Sequence, residues 1–269
     1  MLGAVGSDPY GQTLLVALAA VQVDVSGISC AADTSTGVAV IIVDEPTGEN
    51  RIILSPGANH ILRPAAFLSL AALAEPDLLV MQLEIPLDTV AAAARTAYAG
   101  GVPVLLNAAP APDAESADVL VRHVFPCLAH LVVNETEAAA LCDANVAELD
   151  EQAGLERVAA WFVDRGVGTV VITLGARGAF WMVAAVAEGE GGGRSSGLVP
   201  AVPVAEVVDT TAAGDTFVGV YALRVADAAA NEAVFGVEDA VRAAAVASAL
   251  TVQRKGAQSS IPWGDELVV

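Results

Sequence analysis

Short apolar runs punctuated by Gly, Pro and Asn recur along this chain, and between them lie segments that read as helices. Residues 35–43 (STGVAVIIV) and 50–55 (NRIILS) are β-rich and flank DEPTGE, whose Pro and Gly make a turn. They predict a hairpin. Residues 78–82 read as a strand running on to Leu83 and Glu84, after which Pro86 opens a helix to about Tyr98, closed by Gly100 and Gly101. Strands follow at 103–107, 131–134 and 169–174, with helices at 135–142 and 156–165 between the last two. The opening GAVGSDPYGQ reads as a strand end and a loop leading into a helix at 12–21, with no earlier element for that strand to pair with. Residues 188–197 (EGEGGGRSSG) read as a mobile loop between two edge strands.

Strands alternating with helices at this pitch predict an α/β domain with a mostly parallel sheet covered on both faces. No linker divides the 269 residues, so one domain is expected over 1–269. Ligands of such sheets collect at the carboxyl ends of the strands. Glu84, Asn107, Asn134, Glu137 and Thr173 lie at or just past those ends and are expected on one rim.

Hydrophobic residues make up 55% of the chain, yet no run of about eighteen apolar residues escapes charge, Gly or Pro. Ala-rich helices and Val-rich buried strands account for the excess. A formal net charge of −20 argues against nucleic acid or an anionic membrane as partners. An anionic nucleotide would need local help from helix N-termini, a few Arg or Lys side chains, and a divalent metal. Cys30, Cys127 and Cys142 are widely spaced without a C-x-x-C pair, so buried free thiols are expected. His60, His123 and His130 lack metal-ligand spacing and read as solvated or core histidines. No basic region with an apolar stretch opens the chain, and cytoplasmic location is the expectation.

The chemistry concentrates at residues 207–223, VVDTTAAGDTFVGVYAL. Ala212, Ala213 and Gly214 let backbone N–H groups converge at a helix N-terminus, whose dipole favours an anion. Asp215 stands beside that anion hole. A carboxylate suits such a place when it takes the proton of a nucleophile attacking the bound phosphate. Phosphoryl transfer to a hydroxyl is one reading, and an ordinary helix start packed with small residues is the other.

DTTAAGDTF at 209–217, NETEA at 134–138 and TLGARG at 173–178 resemble, in that order, the signatures of the ribokinase (PfkB) family of carbohydrate kinases. MQLEIPL, NAAPAP and VQRKGAQSSIPW extend the resemblance along almost the whole chain. It implies a three-layer ribokinase-like fold with a partial β lid at about 35–55, and ATP-dependent phosphorylation of D-ribose to D-ribose 5-phosphate. It makes Asp215 the general base and, with Glu84, a contact to the sugar. Asn134, Thr173, Gly175, Gly178, Gly214, Ala247 and Ser248 would bind the nucleotide. Glu137 would engage Mg2+ through water, while Asp209, Thr211, Gly256 and Ser260 would form a K+ site. Taken without the resemblance, Glu137 reads equally as a solvent-facing helix acid, Asn134 as an N-cap and Thr173 as a strand-end hydroxyl. Gly175 and Gly178 read as residues of positive φ, and Ala247 and Ser248 as core packing.

Members of the family begin with a strand bearing Asn-x-Asp and a Gly-Gly-Lys-Gly-Ala-Asn loop, both contacting the sugar; neither pattern occurs in this sequence. The resemblance therefore implies an amino-terminally truncated chain with a complete nucleotide half and a depleted sugar half. It also leaves open a nucleotide-binding fragment of low activity, or a sister kinase for another sugar or a nucleoside. In the intact family the lid forms a homodimer.

Overall fold

The computed structural model describes residues 1–43, 50–69, 71, 73, 75–184, 193–231 and 233–267. Where the sequence predicts one domain with a lid hairpin, the contacts group the chain into two compact units. One spans Met1–Ala74 and Leu83–Ala93, and the other Glu75–Gln82 and Ala94–Val269.

In the first unit β1 (Leu2–Gly6) runs into α1 (Pro9–Ala20) and then β2 (Gly27–Ala31), which pairs parallel to β1. The opening strand thus finds its partner downstream, across a helical crossover. α1 starts at Pro9 and not at Gln12 because Asp8 caps it. The Asp8 carboxylate accepts the Gly11 amide at 2.9 Å, and Pro9 supplies a preset φ where no amide acceptor exists. The same carboxylate takes the Thr36 hydroxyl and amide, each at 2.7 Å, fastening the approach to the hairpin. These donors, the Gly11 amide foremost, hold the Asp8 carboxyl below the ordinary carboxylate range. β3 (Val38–Val43) and β4 (Asn50–Ser55) form the expected antiparallel hairpin; its turn, 44–49, lies outside the described residues.

The second unit is built on a six-stranded sheet in the order β10-β9-β8-β7-β6-β5. β5 (Leu79–Met81), β6 (Val104–Asn107), β7 (His130–Asn134) and β8 (Thr169–Thr173) are parallel, and β9 (Ala179–Val183) and β10 (Ser195–Val199) add an antiparallel edge. Residues 195–197, expected in a loop, belong to β10. Gly197 lies where a Cβ would stand 2.9 Å from the Trp181 ring, so this Gly- and Ser-rich stretch is flattened against its neighbour. Residues 188–192 of the expected loop lie outside the described residues.

α2 (Leu87–Ala99) follows β5, and α3 (Ala114–His123), absent from the sequence prediction, follows β6. α4 (Glu135–Cys142) and α5 (Gln152–Val163) pack against β7, β8 and β9 on one face. On the other face α6 (Ala213–Ala230) and α7 (Val237–Thr251) pack together over Leu105, Val132, Val171, Ala179 and Val199. Their apolar faces are Phe217, Val218, Tyr221 and Val225 from α6 and Val237, Val241 and Ala244 from α7. The three-layer α/β arrangement follows: strands buried on both sides, with a helical layer on each.

His130 opens β7 inside this core, its Nδ1 3.0 Å from the Tyr221 hydroxyl and its ring edge-on to Tyr221 and Phe235. Burial lowers its pKa from the usual 6.5 to about 4. The thiols depart from expectation: Cys30 is exposed, and Cys127 and Cys142 are only partly covered. No helix among the described residues is long and apolar enough to cross a membrane.

Candidate active site

The strand register aligns the rim. Asn134 pairs with Thr173, Thr173 with Ala179, and Ala179 with Val199, so all four stand in one row at the carboxyl ends of β7, β8 and, by direction, β10. Asn107 ends β6 beside them and donates its side-chain amide to the Val132 carbonyl at 3.0 Å. The chain leaves β10 on this rim, while α6 is tied at Tyr221 to the opposite end of β7. Residues 213–215 precede Tyr221 by roughly 9–12 Å of helix, which carries the first turn of α6 back to the rim.

That turn has an unusual entry. Ala212 caps α6 with φ 62°, the left-handed region that L-residues adopt at a cost of about 1–2 kcal/mol. The strained residue turns the chain so that α6 starts abruptly. The Ala213 amide makes a long 3.3 Å contact to the Thr210 carbonyl, and those of Gly214 and Asp215 lie in the first turn, which has no internal acceptors. Gly214 and Asp215 are exposed, and an added Cβ at Gly214 would meet nothing within 4 Å. The arrangement offers outward-facing donors, a positive helix end and one carboxylate to whatever occupies the rim.

Asp209 fixes the approach. Its carboxylate accepts the Thr211 amide at 2.9 Å and the Gly256 amide at 3.0 Å, bridging two loops distant in sequence. Hydrogen bonds from Thr211 and the Gly256 amide lower its pKa to about 2. Three of the four residues expected at the K+ site, Asp209, Thr211 and Gly256, are therefore together. Ser260 lies buried in the same loop, its hydroxyl donating to the Ala257 carbonyl at 2.7 Å.

Asn134 and Glu137 form a reciprocal capping box at the start of α4. The Asn134 side chain accepts the Glu137 amide at 2.8 Å, and the Glu137 carboxylate accepts the Asn134 amide at 2.9 Å and its side-chain amide at 2.8 Å. Asn134 is indeed an N-cap. Glu137, however, is buried, and desolvation raises its pKa against the opposing hydrogen bonds. Of the two readings of Glu137, the solvent-facing acid is removed.

Thr173 reaches the Val133 carbonyl at 3.4 Å, and past it Gly175 and Gly178 both take positive φ, 54° and 104°. Gly175 has open space around it. Gly178 does not, since a Cβ there would stand 2.0 Å from the Val199 carbonyl oxygen. Arg177, which the motif reading passes over, anchors this turn through the Leu149 carbonyl at 2.9 Å and an ion pair with Glu135 in the first turn of α4. The signal was its position inside TLGARG, two residues after one special glycine and one before another.

Ala247 and Ser248 stand on α7. Ala247 is fully buried, and the Ser248 hydroxyl donates to the Ala213 carbonyl at 2.9 Å. Glu84 is exposed between β5 and α2 and is grouped with the first unit, whereas the rim residues belong to the second. Among the described residues no cluster of three or more His, Cys, Asp or Glu could hold a metal by itself.

A sheet buried between helical layers, with a helix start and a carboxylate at its carboxyl rim, is an arrangement suited to binding an anionic small molecule. A family model for pfkB family carbohydrate kinases matches residues 1–264, and the chain belongs to that family. It is 42% identical to ribokinase of Schizosaccharomyces pombe over 97% of this chain and 76% of that protein. Ribokinase of Haemophilus influenzae is 38% identical over 98% of this chain and 78% of its own length. The structure of Arabidopsis thaliana ribokinase complexed with ribose and ATP matches at a TM-score of 0.82 and 26% identity, over 99% of this chain and 80% of that one.

Proposed function

We propose that this carbohydrate kinase transfers the γ-phosphoryl group of ATP to D-ribose, giving D-ribose 5-phosphate and ADP. The observation that carries the reading is the opening turn of α6, where the left-handed Ala212 starts the helix, the Gly214 amide lies in the first turn and the exposed Asp215 follows at once. Ribokinase relatives on both sides of the bacterial and fungal divide, and a ribose- and ATP-bound structural neighbour, support ribose as the acceptor.

Asp215 takes the proton of the sugar hydroxyl as its oxygen attacks the γ-phosphorus; the bond from that phosphorus to the β,γ-bridging oxygen breaks, and ADP leaves. The amides of the anion hole face the oxygens on which charge builds, and they need no reorientation as it does. Asn134, Thr173, Gly175 and Gly178 border the nucleotide at the rim, with Ala247 and Ser248 of α7 completing its site.

Magnesium suits the Glu137 end of the rim. Both Glu137 oxygens retain lone pairs beyond the Asn134 donors, so Glu137 would hold Mg2+ through water, as suits a small hard ion. When bound it neutralises phosphate charge. At Asp209 a carboxylate with a pKa of about 2, held by the Thr211 and Gly256 amides, would offer hard oxygen donors for K+. That ion would order the turn before α6 without entering the chemistry.

The test is an ADP-release assay with ribose, ATP, Mg2+ and K+, run on the wild type and on Asp215→Asn. Removing a general base lowers kcat by about 100- to 10,000-fold while ATP affinity stays within a few-fold. Wild-type turnover without preference for ribose over other pentoses and nucleosides refutes the assigned acceptor. An Asp215→Asn protein that keeps its kcat refutes the assigned base.

A further inference from the structure

The end of α7 meets the first turn of α6 through buried polar groups. Thr251 is fully buried and Thr216 nearly so, and their hydroxyls lie 2.9 Å apart. The Thr216 hydroxyl donates to the Ala212 carbonyl at 2.8 Å, beside the Thr216 amide, which reaches the same oxygen at 2.9 Å. The Thr251 hydroxyl lies 3.2 Å from the Ala247 carbonyl of its own helix. Beyond it, the Val252 carbonyl accepts the Val208 and Asp209 amides at 2.8 and 3.2 Å. Residues 208–216 are thus gripped from one side by residues 247–256, which also include the Ser248 and Gly256 contacts.

A buried hydroxyl pair costs free energy to desolvate and returns it only when both members are bonded, so valine at both positions would serve packing alone at least as well. The pair sits directly under the left-handed Ala212, whose conformation persists only if its surroundings over-determine it. Ala212 is held at its carbonyl by Thr216, and Thr216 is oriented by Thr251.

We propose that Thr251 is a positioning residue for phosphoryl transfer: through Thr216 it holds the Ala212 carbonyl, and with it the aim of the Gly214 and Asp215 groups, without touching either substrate. The inference rests on the kinase reading of α6 given above. Losing the hydroxyl of Thr251 leaves the Thr216 hydroxyl with the Ala212 carbonyl as its one remaining partner among the described residues and loosens the αL entry of the helix. The amides and carboxylate are then misaimed by a fraction of an ångström, which affects the transition state more than the bound ground state.

The experiment compares wild type, Thr251→Val and Thr251→Ser by steady-state kinetics and by hydrogen exchange of peptides covering residues 208–217. Thr251→Val is expected to lower kcat by about 10-fold with KM for ATP changed less than about two-fold, and to accelerate exchange in 208–217 above the rest of the chain. Thr251→Ser restores both. Should Thr251→Val not fold, Thr216→Val breaks the same pair from the α6 side and is read identically. Unchanged kcat with unchanged exchange overturns the proposal, and so does a loss that Ser fails to rescue or exchange that rises uniformly over the chain. A wild type that phosphorylates none of the sugars refutes the functional reading instead; the exchange comparison then decides the positioning role alone.

Discussion

The buried His130 gives a pH dependence that can be worked out in advance. Its imidazole is 7% exposed among Tyr221, Phe235 and the strands beside β7, and burial lowers its pKa to about 4 against 6.5 in an open chain. As pH falls, the unfolded chain takes up this proton first. The folded state's advantage is therefore whole above about pH 6.5, is lost as pH falls from there towards 4, and does not change further below. Between pH 7 and 5 the ratio of the two binding polynomials changes by more than 20-fold, or about 2 kcal/mol of unfolding free energy. Replacing His130 alone would strand the buried Tyr221 hydroxyl, so the comparison is with His130→Phe/Tyr221→Phe, which removes both partners and keeps the aromatic packing. Urea unfolding of both proteins at the two pH values isolates the effect, because every other titrating group contributes equally to each. The wild type should lose about 2 kcal/mol more than the double variant. Equal losses would mean that His130 is protonated as readily inside as outside, and the account of the core beneath α6 would be wrong.

Gly178→Ala places a Cβ 2.0 Å from the Val199 oxygen in a backbone region open only to glycine, and should cost at least about 3 kcal/mol in chemical denaturation; a loss under about 1 kcal/mol would contradict the packing at this turn. Asp209→Asn turns one of two accepting oxygens into a donor facing a donor, so turnover in potassium should fall to the level seen in lithium, a ratio read directly from the two assays.

The residues that announced themselves were those whose local chemistry and tertiary role coincide. α4 matches its predicted span, 135–142, because Asn134 and Glu137 cap it within four residues of sequence. β6, β7 and β8 are apolar runs buried on both faces, so their pattern needed no partner to be read. β2 and the start of β10 were illegible for the opposite reason: Ser, Cys and Gly carry little strand signal, and pairing with β1 and β9 overrides it. α3 escaped because its Ala, Glu, Ser and Asp residues bury only Ala117 and Leu120. Around residues 209–216 the motifs mark groups but not what packs against them. Nothing in the sequence distinguishes Thr251, thirty-five residues from Thr216, from any other helix threonine.

Charge explains why this packing matters. A surface at −20 repels ATP at long range, and beyond a Debye length of about 8 Å salt hides even that. Close in, many of the basic side chains are engaged with acids: Arg122 with Asp118, Arg157 with Glu148, Arg177 with Glu135, Arg194 with Asp164, Arg242 with Glu238 and Arg254 with Glu266. The single lysine, Lys255, is exposed one residue before Gly256. On the proposed reading, much of the attraction for phosphate would come from backbone dipoles, whose effect fades within one helical turn and depends on direction. A cationic side chain can swing to meet a displaced anion; an amide fixed in the first turn of α6 cannot. On the proposed reading, accuracy at residues 209–216 would substitute for charge, and the contacts that hold those residues come from the end of α7, about forty residues further along the chain.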